Sequence, residues 1–207
     1  MSDIDKLRDA VFEIYRVNAG KVPYHGWHHV NFVAEKAALF LTELGADETL
    51  TVAAAYVHDF NYLFPKNSAG SASRDLRQEV LGGAGFSRNV ISQVEQIILE
   101  ARMSRRHAHI SAEAKALSDG DTAYKALPIA PLMTVDYLFE TGATLAALAQ
   151  KIVREQTPLA DQGIYFYSTL AREAYGPWAE ANLQMWTRVL HSLDDADIDT
   201  ISAQRWT

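Results

Sequence analysis

Apolar residues recur along the chain at helical spacing, three and four apart, rather than in alternation. From Asp3 to Val17 they fall at Ile4, Leu7, Val11, Ile14 and Tyr15, which predicts an amphipathic first helix. A break follows at Asn18 to Pro23. Val30, Val33, Ala37, Leu41 and Leu44 share one face and predict a second helix over about 26–44, capped by Gly45. Asp47 opens a third helix, through Ala55 to about Asp59. Asn61 to Ser73, with Pro65, Asn67 and Gly70, reads as a loop. A fourth helix covers about Ser71 to Leu81 and stops at Gly82-Gly83. Ser87 caps a fifth, which carries Val90, Ile91, Val94, Ile97 and Ile98. Segments 108–126, 142–155, 161–174 and 178–193 also favour helix through their Ala, Leu, Gln and Glu. Pro128, Pro131, Gly142, Pro158, Gly176 and Pro177 punctuate them. No run of alternating β-branched residues is long enough to predict a strand. The expectation is an all-α, single-domain bundle of about nine helices over 1–207.

Composition narrows the chemistry. The 207 residues suit one domain and bury a core without staples. No cysteine is present, which removes disulfides, thiolate zinc sites, iron–sulfur ligation and a cysteine nucleophile together. Any metal must then sit on His, Asp, Glu or backbone oxygen. Lys plus Arg is 19 and Asp plus Glu is 26, so the formal net charge is 19 − 26 = −7. That balance argues against general coating of nucleic acid. The first residues lack a positive start followed by an apolar run, so no secretory signal is expected. No stretch approaches the roughly 18 apolar residues of a spanning helix. A cytoplasmic protein without a membrane partner is therefore expected. Three of the tryptophans, Trp178, Trp186 and Trp206, lie near the C-terminus. They offer a candidate homodimer contact, with core packing as the preferred reading.

Six of the seven histidines fall between residues 25 and 109. His25, His28 and His29 cluster at the start of the second helix. His25 and His29 are four apart and point the same way, whereas His28 projects elsewhere. His58-Asp59 ends the apolar run Val52-Ala53-Ala54-Ala55-Tyr56-Val57. Two ionisable groups after so buried a run are costly unless paired or bound to a cation. Imidazole nitrogen with carboxylate oxygen suits Zn, Fe, Mn, Co or Ni. A third feature is Asp119-Gly120-Asp121. Carboxylates two apart on a helix do not share a face, so only one of them is expected as a ligand.

His29, then His58-Asp59, then Asp121 resembles the signature of the HD-domain superfamily of metal-dependent phosphohydrolases. Tyr24-His25-x-x-x-His29-Val30 is similar to the first motif in several branches, including cyclic nucleotide phosphodiesterases. Asp121-Thr122-Ala123 resembles the family's last Asp segment, with Gly120 where Ala is frequent and Ala123 where Leu is frequent. Asp119 matches an acidic position that is not usually a ligand. The likeness covers about 20–127, and about 128–207 reads as a lineage-specific helical extension. It is strongest toward small bacterial predicted HD phosphohydrolases. Their Asn-Glu-x-x-Ser-Ala loop corresponds here to Asn67-Ser68-Ala69-Gly70-Ser71-Ala72, so the Glu is missing.

The resemblance implies a helical bundle of the HD type. His29, His58, Asp59 and Asp121 would hold a divalent ion (Zn, Mn, Fe, Co, Ni or Mg). Bound water, its pKa lowered to roughly 7 in the best zinc case, would attack phosphorus. Asp59 would orient that water, and His25 would protonate the leaving oxygen. Substrate would be a phosphomonoester, nucleotide or related small phosphate. An acidic protein handling phosphate needs a local basic patch. Lys66, Arg102 and Arg106 are candidates, beside Arg74 and Arg105. His107 is a candidate for lining the pocket, and His191 reads as structural. Two other classes remain open. One is a di-iron HD-type oxygenase, which would recruit His107 or His109, or a hydro-lyase on the same scaffold. The other is a non-catalytic metal- or ligand-binding module.

Overall fold

The structure, a computed structural model, describes residues 1–69, 71–193 and 195. Nine α-helices and two short 3₁₀ turns make up the regular structure among these residues, and they contain no strand. The helices are α1 (Asp3–Val17), α2 (Trp27–Leu44), α3 (Glu48–Val57), α4 (Ala72–Ala84) and α5 (Arg88–Ala101). They continue with α6 (Ala112–Ala126), α7 (Ala130–Thr141), α8 (Leu145–Asp161) and α9 (Thr169–Ser192). The 3₁₀ turns cover Phe60–Leu63 and Met103–Arg105. None of the described helices is long and apolar enough to cross a membrane. Trp206 and Gly70 lie outside the described residues.

Local chemistry sets most ends. Ser2 and Asp5 form a reciprocal capping box at α1. Asp47, Ser87, Ser111, Thr144 and Ser168 each accept a backbone N–H from the first turn of their helix. Gly45 closes α2 at φ 69°, a conformation that costs glycine nothing.

Several stretches depart from the sequence reading, among them the following. Helix α4 runs through Gly82-Gly83 and stops at Gly85, whose φ of 111° makes it the cap. Buried Leu81 and Ala84 hold that last turn on the core. Helix α7 occupies a stretch where Pro128 and Pro131 suggested only punctuation. Pro131 stands in its first turn, where a missing N–H costs nothing. Helix α9 is continuous where Gly176-Pro177 predicted a break. Ala171 is buried before Pro177, and Ala179 and Trp186 after it. Burial on both sides outweighs the hydrogen bond lost to proline, whose cost is about 3 kcal/mol.

The largest apolar cluster joins α1 to α6 through residues such as Leu7, Val33, Val57, Leu81, Val94 and Leu117. Helices α2 and α6 pack most closely of all. A Cβ on Gly120 would lie 2.8 Å from the Val33 carbonyl oxygen and 3.1 Å from the Ala37 nitrogen, so only glycine allows this approach. A second cluster, with Phe40, Ala123 and Ala179, docks α9 on that pair. A third joins α8 to α9 through Leu148, Ala149 and Trp186. Trp186 is thus core, while Trp178 is half exposed. Two carboxylates fix the start of α9. Asp119 accepts the N–H groups of Tyr167 and Ser168 at 2.8 and 2.7 Å. Glu43 accepts those of Thr169 and Leu170 at 2.6 and 3.1 Å.

Candidate metal centre

Three helices deliver the cluster. His29 lies in the first turn of α2, and Gly26 before it caps that helix. His58 is the C-terminal cap of α3, so Asp59 leaves the helix and opens the 3₁₀ turn. Adjacent residues can therefore both face the same point. Asp121 sits in the middle of α6, brought close by the tight packing at Gly120. Asp119, two residues earlier, turns instead toward the start of α9. Of that pair, Asp121 alone joins the cluster.

The geometry is compact. Asp59 Oδ2 lies 3.0 Å from His29 Nε2 and 3.1 Å from His58 Nε2. The two Nε2 atoms are 3.4 Å apart, and Asp121 Oδ1 is 3.8 Å from His29 Nε2. His29, His58 and Asp121 each offer a ligand atom, all within 4.8 Å of one another. Such atoms can share hydrogen-bond protons or hold a metal ion between them.

Charge and burial set the protonation. Desolvation lowers the His29 imidazole to a pKa of about 4. Burial works the same way on His58, but the Asp59 charge and hydrogen bond outweigh it and raise His58 above its ordinary value. Burial would raise the Asp59 carboxyl, yet the charge on His58 and the bonds from both imidazoles hold it well below the usual range. Asp121 is lowered too, because Lys125 offsets its burial from 2.5 Å away.

The donor set fits a divalent first-row ion. His58 gives its Nδ1 proton to the Ala55 carbonyl at 2.7 Å, which leaves Nε2 as a bare lone pair once neutral. His29 Nδ1 is buried without a partner, so in the neutral ring the bond to Asp59 keeps the proton on Nε2, and ligation through Nε2 would shift that proton to Nδ1. Arg106 buttresses Asp121 at 3.5 Å while bonding Thr122 Oγ1 at 2.7 Å and the Ala101 carbonyl at 3.0 Å.

His25 precedes the cap of α2 and still reaches the cluster, with Nε2 4.0 Å from Asp59 Oδ2. Its ring stacks on Tyr62 with centroids 3.4 Å apart. Its Nδ1 hydrogen-bonds Glu140 Oε1, and Glu140 Oε2 accepts the N–H groups of Tyr24 and His25, both at 3.0 Å. Glu140 comes from the end of α7, and no spacing in the sequence points to it.

A cleft of about 360 Å³ opens on His58, Asp59 and Asp121. Arg102 lines it from an exposed position, and the half-buried Lys125 and Lys151 line it too. Lys125 follows Asp121 by one helical turn, a signal present in the sequence and passed over. Lys151 of α8 lies 3.1 Å from the Tyr137 hydroxyl. The other candidate anion contacts fare differently. Arg106 lines the cleft, with each of its three guanidinium nitrogens already bonded to a partner named above. Lys66 bonds the Thr141 carbonyl at 2.9 Å and borders a neighbouring groove with Arg102. His107 lies outside the cleft: it is exposed, and its Nδ1 accepts the His109 N–H at 3.2 Å. The chain is not helical from Arg106 to Ile110, so Arg106 turns inward and His107 outward.

No family model matches the chain, and no curated protein does. Among solved structures, a structural-genomics target from Lactobacillus plantarum superposes with a TM-score of 0.63 at 17% identity, covering 97% of each chain. At that identity the likeness concerns the fold alone.

Proposed function

We propose that the protein is a metal-dependent phosphohydrolase of the HD type acting on a small phosphomonoester. The observation that carries this reading is the convergence of His29, His58, Asp59 and Asp121 beside His25. A divalent ion held by the first four residues would supply a water of lowered pKa and charge to offset the phosphoryl oxygens. Protonated His25 keeps its Nδ1–H on Glu140 and presents Nε2–H toward the cluster. Water adds to phosphorus, the ester P–O bond breaks, and the departing alcohol oxygen takes that Nε2 proton. Lys125 and Lys151 bind phosphoryl oxygens, with Arg102 at the outer edge. Asp59 keeps a carboxylate oxygen to orient the attacking water.

The experiment is metal analysis of purified protein, followed by a panel of phosphomonoesters with Mn, Co, Ni, Zn or Mg. Phosphate release that disappears in Asp59→Ala is expected. A protein that takes up no divalent ion, or turns over no ester with any of them, ends the proposal. The di-iron alternative has less support, since six ligands would require His107 or His109, both exposed and absent from the cluster.

A further inference from the structure

Behind the metal-side cleft lies a second cavity of about 90 Å³. Tyr62, Met103, Lys125, Lys151 and Glu155 border both spaces and so form the mouth between them. His25 lines the inner chamber. The deeper wall is supplied largely by α7, α8 and α9, with Ala130, Leu148, Ile152 and Trp186 as its apolar part. The part of the chain that the sequence marked only as an extension therefore builds this chamber.

The position of His25 assigns the chamber a task. A proton donor must face the leaving oxygen, and the leaving group continues outward from that oxygen. With phosphoryl oxygens held in the cleft by Lys125 and Lys151, the leaving group enters the side that His25 lines. Volume then limits what fits. For scale, a cavity of about 150 Å³ holds benzene. The chamber is smaller than a benzene site and far too small for a nucleoside. We propose that it receives the leaving group, and that the substrate is the phosphate monoester of a compact aliphatic alcohol of roughly three to five heavy atoms. This rests on the phosphohydrolase reading above and narrows it.

The test compares butyl phosphate, phenyl phosphate and adenosine 5′-monophosphate with the metal-loaded protein. Butyl phosphate should show kcat/KM about tenfold or more above the other two, a ratio within the reach of pocket fit. The order is diagnostic because phenoxide leaves more readily than an alkoxide. Leu148→Ala, which enlarges the chamber, should narrow the gap by raising phenyl phosphate turnover. Ala130→Phe, which fills it, should lower butyl phosphate turnover while inhibition by inorganic phosphate persists. Butyl phosphate should also change the emission of Trp186, a change lost in Trp186→Phe. Equal or faster turnover of the nucleotide, an unaltered ranking in Leu148→Ala, or no response of Trp186 overturns the size assignment and leaves the phosphohydrolase reading standing. Absence of turnover of all three esters with every metal overturns both.

Discussion

A single carboxylate oxygen, Asp59 Oδ2, lies within 3.1 Å of both His29 Nε2 and His58 Nε2 and 4.0 Å from His25 Nε2. His58 holds a proton on that oxygen above its ordinary pKa of 6.5, whereas His29, at about 4, is already neutral there. Metal uptake between about pH 5 and 6.5 must therefore displace one proton, from His58, and none from His29 or the ionised carboxylates. The sign is that affinity falls with falling pH. The expected slope is about tenfold per pH unit, read by competition with a metal indicator; a slope near a hundredfold would mean both imidazoles are charged. Glu140 gives a second residue-scale prediction. Glu140→Gln keeps an oxygen for the Tyr24 and His25 N–H groups but removes the charge beside His25 Nδ1. The variant should retain its metal and KM while losing roughly tenfold to hundredfold in kcat. A large change in metal content instead would make Glu140 merely structural. The residues of the cluster were legible because each falls next to a feature visible in one dimension: a helix start, an apolar run, an acidic pair. Glu140 was not, since it reaches His25 from 115 residues away.

The elements were legible wherever caps and periodicity agreed, as at Asp47, Ser87 and Gly45. They misled where glycine and proline were weighed without tertiary packing. Pro177 lies between buried Ala171 and Ala179, and the helix continues through it. Pro131 starts α7, and that helix delivers Glu140. Gly120 shows the opposite case, a glycine inside a helix kept for packing. Alanine there would gain about 1 kcal/mol of helix propensity. Its Cβ would meet the Val33 carbonyl oxygen at 2.8 Å, a backbone atom that cannot swing aside. Overpacking of this kind costs about 1–3 kcal/mol. Gly120→Ala should therefore lower stability by up to about 2 kcal/mol in urea titration and weaken metal affinity, because α6 carries Asp121. A stabilised variant would show that α2 and α6 can separate without strain.

At the scale of the molecule, the cluster ties together helices that are far apart in sequence. His29 belongs to α2, His58 and Asp59 to the end of α3, and Asp121 to α6. Without a metal they share one buried region held by a proton and by Lys125. The C-terminal helices add to the same region through Glu140 and Lys151, and Asp119 and Glu43 pin the start of α9 to the central pair. Unfolding must then dismantle the site, because the four proposed ligand residues come together only in the fold. A ligand at a hundred times its dissociation constant adds about 2.7 kcal/mol to stability. For a domain of 150–250 residues each kcal/mol is worth roughly 2–4 °C. Saturating divalent ion should raise the thermal midpoint by roughly 5–10 °C, and excess chelator should remove the gain. Asp59→Ala should show no metal-dependent shift, whatever its own midpoint. An equal shift in wild type and variant would place the binding elsewhere on this acidic surface and detach stability from the cluster.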